Sequence, residues 1–173
     1  MRKATLAASI LSLVLSSFAF AANTPTLVPV EDWKGGADSA AVHLGGLVGL
    51  GILDSQAGLT LMGTASKKII PRGFISDIND SVSIEAQAGP LWTQSTMVFH
   101  YSFHIRWDFQ KDAKWTLYAL AGLAGDVTGS SLGNRFILLP RFGIGSFYRW
   151  SDHLLLRGEW SRELMAVGVS IPF

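Results

Sequence analysis

The chain has 173 residues, a net charge of +1, 49% hydrophobic and 11% aromatic residues, 18 glycines and no cysteine. The balanced charge gives no basic surface for nucleic acid, and the lack of cysteine removes any disulfide framework. After residue 22 no apolar run is long enough to cross a bilayer as a helix: the longest, Trp115 to Gly125, is about half of the ~20 residues required.

The first segment carries the marks of an export signal. Arg2 and Lys3 form a positive n-region, Ala4 to Phe20 is an apolar run diluted by serine, and Ala19-Phe20-Ala21 is a small-x-small cleavage site. The expected division is a signal peptide over 1–21, an irregular lead-in over 22–39 containing Pro25, Pro29, Gly35 and Gly36, and one domain over 40–173.

Within that domain the hydrophobic residues alternate. A first strand, about Ala40 to Gly51, sets Val42, Leu44, Val48 and Leu50 against His43, Gly45 and Gly49. A turn near Asp54-Ser55 leads to a second strand over about Ala57 to Ile70, and Pro71 to Ser81 reads as a long connection. The third strand, about Val82 to Trp92, opposes Val82, Ile84, Ala86 and Ala88 to Ser83, Glu85 and Gln87. In the fourth, Met97, Phe99, Tyr101, Phe103, Ile105, Trp107 and Phe109 alternate without a fault with Val98, His100, Ser102, His104, Arg106 and Asp108. A helix would scatter those aromatics round its circumference, so the period demands a strand. Lys111 to Lys114 is a polar turn. Trp115 to Gly125 has two apolar or small faces and is not oriented by pattern. Asp126 to Asn134 reads as a loop, followed by strands over Arg135 to Trp150, Leu154 to Arg162 and Met165 to Phe173, with a turn at Ser151-Asp152. The total is eight, an even number, as single-chain bacterial membrane barrels require.

The faces of the fourth strand fix the class. Its aromatic stripe is too large to pack inside a small barrel beside seven similar strands, while its other face carries two His, an Arg and an Asp. A soluble barrel points its apolar face inward; a membrane barrel reverses this, with lipid outside and a polar or filled interior. Trp107, Phe109, Tyr148 and Trp150 fit an interfacial aromatic girdle. The expected fold is an all-β, eight-stranded antiparallel up-and-down transmembrane barrel. A soluble periplasmic lipocalin-like binder is the rival.

From Ala40 to Phe173 the chain resembles the small eight-stranded outer-membrane barrels of the OmpA and OmpX type. Its last strand resembles their assembly signal, a spaced glycine followed by hydrophobic residues and a terminal aromatic: Gly168, Ile171 and Phe173. Two positions depart from it, Ala166 where a polar residue is usual and Pro172 beside the end. The resemblance implies a location in the bacterial outer membrane, contact with its lipids, assembly by its insertion machinery and a monomer. It also implies periplasmic termini, with the connections near Asn79, Lys111 and Ser151 on the same side. Those near Asp54, Gln94, Ser130 and Glu163 then face outward.

In that orientation the lumen gathers Glu85, His100, His104, Arg106, Asp108, Arg141, Arg149, Arg157 and Glu159. An eight-stranded barrel is just wide enough for side chains to fill, and charges buried there must pair. Glu85 is expected to meet Arg106, and Glu159 to lie diagonally from Arg141. The reading is a structural network that plugs the barrel, with no cofactor, no metal and no catalysis. A narrow channel and a lipid A modifying enzyme are the alternatives. His100 with Ser95 or Ser130 is the candidate set for the enzyme, without a characteristic His-Ser spacing. His100 and His104 share a face but stand ~13 Å apart at ~3.3 Å per residue, too far to ligate one ion. The connections near Gln94 and Glu163 are short, and only Gly125 to Arg135 offers an external surface, which favours a compact envelope component over a receptor.

Overall fold

The computed structural model describes Trp33 and residues 39–53, 56–94, 96–128 and 136–173. The expected signal peptide, most of the expected lead-in, the expected Asp54-Ser55 turn, Ser95 and Ser130 lie outside the described residues.

Eight strands form in sequence: β1 (Val42–Leu53), β2 (Gln56–Ile70), β3 (Asp80–Thr93), β4 (Met97–Gln110), β5 (Trp115–Thr128), β6 (Phe136–Ser151), β7 (Leu154–Ser161) and β8 (Leu164–Pro172). Each pairs antiparallel with its neighbours, and β8 pairs with β1, so the sheet closes into a barrel. The expected loop over 126–134 is shorter than its composition suggests. Asp126 and Val127 pair with Ile137 and Phe136, so the β5–β6 hairpin extends further before it turns. The glycine- and serine-rich composition that marks a loop does not forbid strand when a partner supplies the ladder.

The pairing runs obliquely. Followed from Gly51 of β1 through Leu164, across the β7–β8 turn to Ser161, then Gly143, Leu120, Arg106, Ser83 and Lys68, it returns to Ala41, immediately before β1. That stagger is what tilted strands need in order to close. Pro90 lies inside β3, where it has no N–H to give. The β2–β3 ladder skips from Thr60–Leu91 to Gly63–Ala88 there without changing register, and the Thr60 hydroxyl donates to the Pro90 carbonyl at 3.0 Å; the register shift of this pair lies further on, between Lys68 and Ile70.

The two faces of the wall have opposite chemistry. On β4, Met97, Phe99, Phe103 and Ile105 are exposed, while Val98, His100, Ser102, His104, Arg106 and Asp108 are buried. The same exposed aliphatic surface continues over Val48 and Leu50, Leu59 and Leu61, Leu117 and Leu123, Phe142 and Ile144, and Val167, Val169 and Ile171. β5, which the pattern leaves unoriented, turns Tyr118, Leu120 and Ala124 inward and Trp115, Leu117 and Leu123 outward.

Aromatic residues gather at the end that holds both barrel termini. Trp107 lies 5.0 Å from Phe109 and 6.0 Å from Phe74, and Trp115 lies 4.9 Å from Tyr148. Trp150 is exposed at the same end. The Trp107 indole donates to Asp80 at 2.7 Å, and the Phe74 amide donates to the same carboxylate oxygen at 3.0 Å, which ties the 71–79 connection to the wall. Trp33 is bound there too: its N–H donates to Lys111, and its carbonyl accepts from Asn79 at 2.8 Å.

Candidate functional site

The interior is filled by side chains from opposite walls. β3 and β7 stand four strands apart in a ring of eight, yet Glu85 on β3 accepts a hydrogen bond from Arg157 on β7 at 2.6 Å. Gln87 on β3 donates to Glu159 on β7 at 3.1 Å. These contacts cross the full width of the barrel.

Around them the charges pair. Arg106 makes an ion pair with Glu85, and it also holds Asp108 through Nε at 2.7 Å and Nη2 at 3.1 Å. Arg141 pairs with Glu159, donates to Ser102 at 2.7 Å and to Gln87 at 3.0 Å, and its Nε lies 3.1 Å from Glu163. Arg157 bridges Glu85 and Glu159, and its Nε donates to the Tyr118 hydroxyl at 2.9 Å. Tyr118 in turn donates to Glu159 at 3.0 Å. His104 sets Nε2 3.3 Å from Glu85. Three guanidiniums therefore face the carboxylates of Glu85, Asp108 and Glu159. Arg106 and Arg141 are 0% exposed, so the pairing is obligatory: a buried charge without its partner costs several kcal/mol.

Two apolar clusters complete the filling. Tyr118, Leu120, Phe147 and Leu155 pack on the β5–β6–β7 wall, and Leu47, Met62, Leu164 and Ala166 on the β8–β1–β2 wall. The Arg106 guanidinium lies 4.8 Å from the Phe147 ring centre, and that of Arg157 lies 5.2 Å from the rings of both Phe147 and Tyr118, distances at which a cation is attracted to a π face. Gly145 makes this possible: a Cβ there would overlap the Tyr118 ring.

His100 differs from the sequence expectation. It faces inward but stands apart from the central network, with Nδ1 2.7 Å from Asp126 and Nε2 buried. The pattern missed this partner because Asp126 sits where composition reads as loop. Arg149 lines a polar recess at the terminus end, with Lys68, Asp80, Asp108, Gln110 and Thr116. Among the described residues, no group of three His, Asp or Glu is placed to hold a metal. The assembly-signal positions lie on β8 and just beyond it. Ile171 and Phe173 are exposed, and Gly168 sits where a Cβ would overlap the Gly46 carbonyl. Sequence reasoning also missed Tyr118, Gln87, Phe147 and Ser102 as members of the network. Only the inward alternation of their strands marks them.

No family model and no curated protein matches the chain. Among solved structures it is similar to a de novo designed transmembrane β-barrel, with a TM-score of 0.55 and 15% identity over 84% of this chain and 100% of that one. At that identity the likeness is one of fold: an eight-stranded antiparallel closed barrel whose neighbour is of the transmembrane type.

Proposed function

We propose that the chain is an integral β-barrel of the bacterial outer membrane, a monomeric structural component of the envelope with a plugged polar interior and no enzymatic activity. The observation that carries this reading is the pairing of an apolar exterior with Glu85–Arg157 contacts across the lumen. In water the exposed Phe, Leu, Ile and Val surface would be a large aggregation patch. In lipid it is the required outer face, and closure leaves the barrel wall without a free sheet edge round most of its height. The export-type N-terminus and the Gly168, Ile171 and Phe173 signal support insertion from the periplasm by the outer-membrane machinery.

The plug is tested in planar bilayers. Purified, refolded protein is expected to give no unitary conductance steps. Reproducible steps that change size in Glu85→Ala would instead establish a channel. The non-enzymatic reading has its own test in the His100–Asp126 pair, a His–carboxylate contact of 2.7 Å among the described residues. Cells expressing the chain are expected to show unaltered lipid A masses. An alteration abolished by His100→Ala would overturn that part of the reading.

A further inference from the structure

The barrel wall is uneven at one place. β6 has 16 residues and β1 has 12, but between them β7 has only 8 and β8 has 9. A strand needs ~9–11 residues to cross the apolar layer, so β7, which starts level with its neighbours at the terminus end, stops short at the other. Its last pair is Ser161 with Gly143, and no strand of the described barrel pairs with that edge of β6 over residues 136–142. The β7–β8 turn is anchored below the rim: the Ile52 amide donates to the Glu163 carbonyl at 2.9 Å, and Arg141 holds the Glu163 side chain.

This leaves a lateral notch above a two-residue turn, open to the outer leaflet. The wall beneath it is a shallow, open depression lined by Leu120, Phe142, Gly143, Ile144, Trp160, Ser161 and Arg162. Phe142, Ile144 and Trp160 are 65%, 57% and 66% exposed, and Arg162 is exposed beside them. A backbone edge with no strand partner among the described residues and an arginine are both costly against hydrocarbon tails. Polar groups must therefore reach down to this level. The Glu163 carboxylate, engaged by Arg141, is offset as a source of repulsion, so the charge presented is that of Arg162.

Resting on the membrane reading above, we propose that the notch seats a phosphate-bearing anionic lipid of the outer leaflet, its headgroup on Arg162 and the β6 edge and an acyl chain along Phe142, Ile144 and Trp160. The test uses the full mature chain refolded in phosphatidylcholine liposomes containing phosphatidylglycerol, with a photoactivatable acyl chain on one lipid or the other. Labelled residues are mapped by mass spectrometry. One arginine near the surface favours an anionic lipid about fivefold. Residues 142–144 and 160–162 are thus expected to label about fivefold more strongly from phosphatidylglycerol, while Phe103 and Ile105 on the far wall label equally from both. Arg162→Gln is expected to abolish the preference and Arg162→Lys to retain it, each variant being checked for its folded, boiling-sensitive gel band. Equal labelling at the notch from both lipids would overturn the lipid site and leave the membrane barrel standing. Absence of labelling from the whole apolar belt would overturn both. Chain-to-chain cross-links through residues 138–142 would show that a second strand, rather than a lipid, occupies the edge.

Discussion

At the scale of single residues, the account depends on charges that have no water to fall back on. Glu85 is shared by Arg106 and Arg157, so Glu85→Ala leaves two buried guanidiniums short of a counter-charge. The expected loss is about 3–5 kcal/mol, read as a shift of the urea unfolding midpoint in liposomes, with Glu85→Gln falling between wild type and alanine. Gly145→Val is expected to lower the refolded fraction sharply, because the new side chain displaces Tyr118 from its place between Arg157 and Glu159. Much of the charged network is legible in the chain itself. Period two puts Glu85, His104 and Arg106 on one face, and burial in a narrow barrel then demands partners. The contacts across the lumen are not legible there, since they depend on how far the ring is staggered. Nor is the separate pairing of His100 with Asp126, whose aspartate lies in a stretch with loop-like composition.

At the scale of the strand, the exposed face is the testable surface. Phe103 is 59% exposed near the middle of β4, whereas its neighbour Ser102 is buried. Phe103→Arg is expected to cost about 2–4 kcal/mol in a bilayer, while Trp150→Arg, at the aromatic rim, is expected to cost about 0–1 kcal/mol. Equal costs at the two positions, measured by urea unfolding in the same liposomes, would argue against a depth-dependent apolar environment. Strand number and nearly all turns are readable from alternation and from Gly, Pro, Asn and Asp punctuation. The orientation of β5 is not, because Leu117 to Gly125 offers apolar or small side chains on both faces. It is settled by pairing, with Tyr118 opposite Asp108 and Gly145. The short β7–β8 hairpin is visible in the sequence as a near-absent connection between strands ending at Arg162 and starting at Met165. What it leaves open becomes apparent only beside the longer β6.

At the scale of the whole molecule, one inversion organises everything else. Apolar residues cover the outside, and charged residues, packed among two apolar clusters, fill the inside. That arrangement is stable only where the surroundings are less polar than the lumen. The measurement that tests it most directly is gel migration of the protein from a purified outer-membrane fraction, unboiled and boiled. The account predicts a compact, faster band before boiling that shifts to the mass of the unfolded chain afterwards, as a closed barrel that resists detergent should. Recovery of the protein in the soluble periplasm, with one band unchanged by boiling, would contradict it.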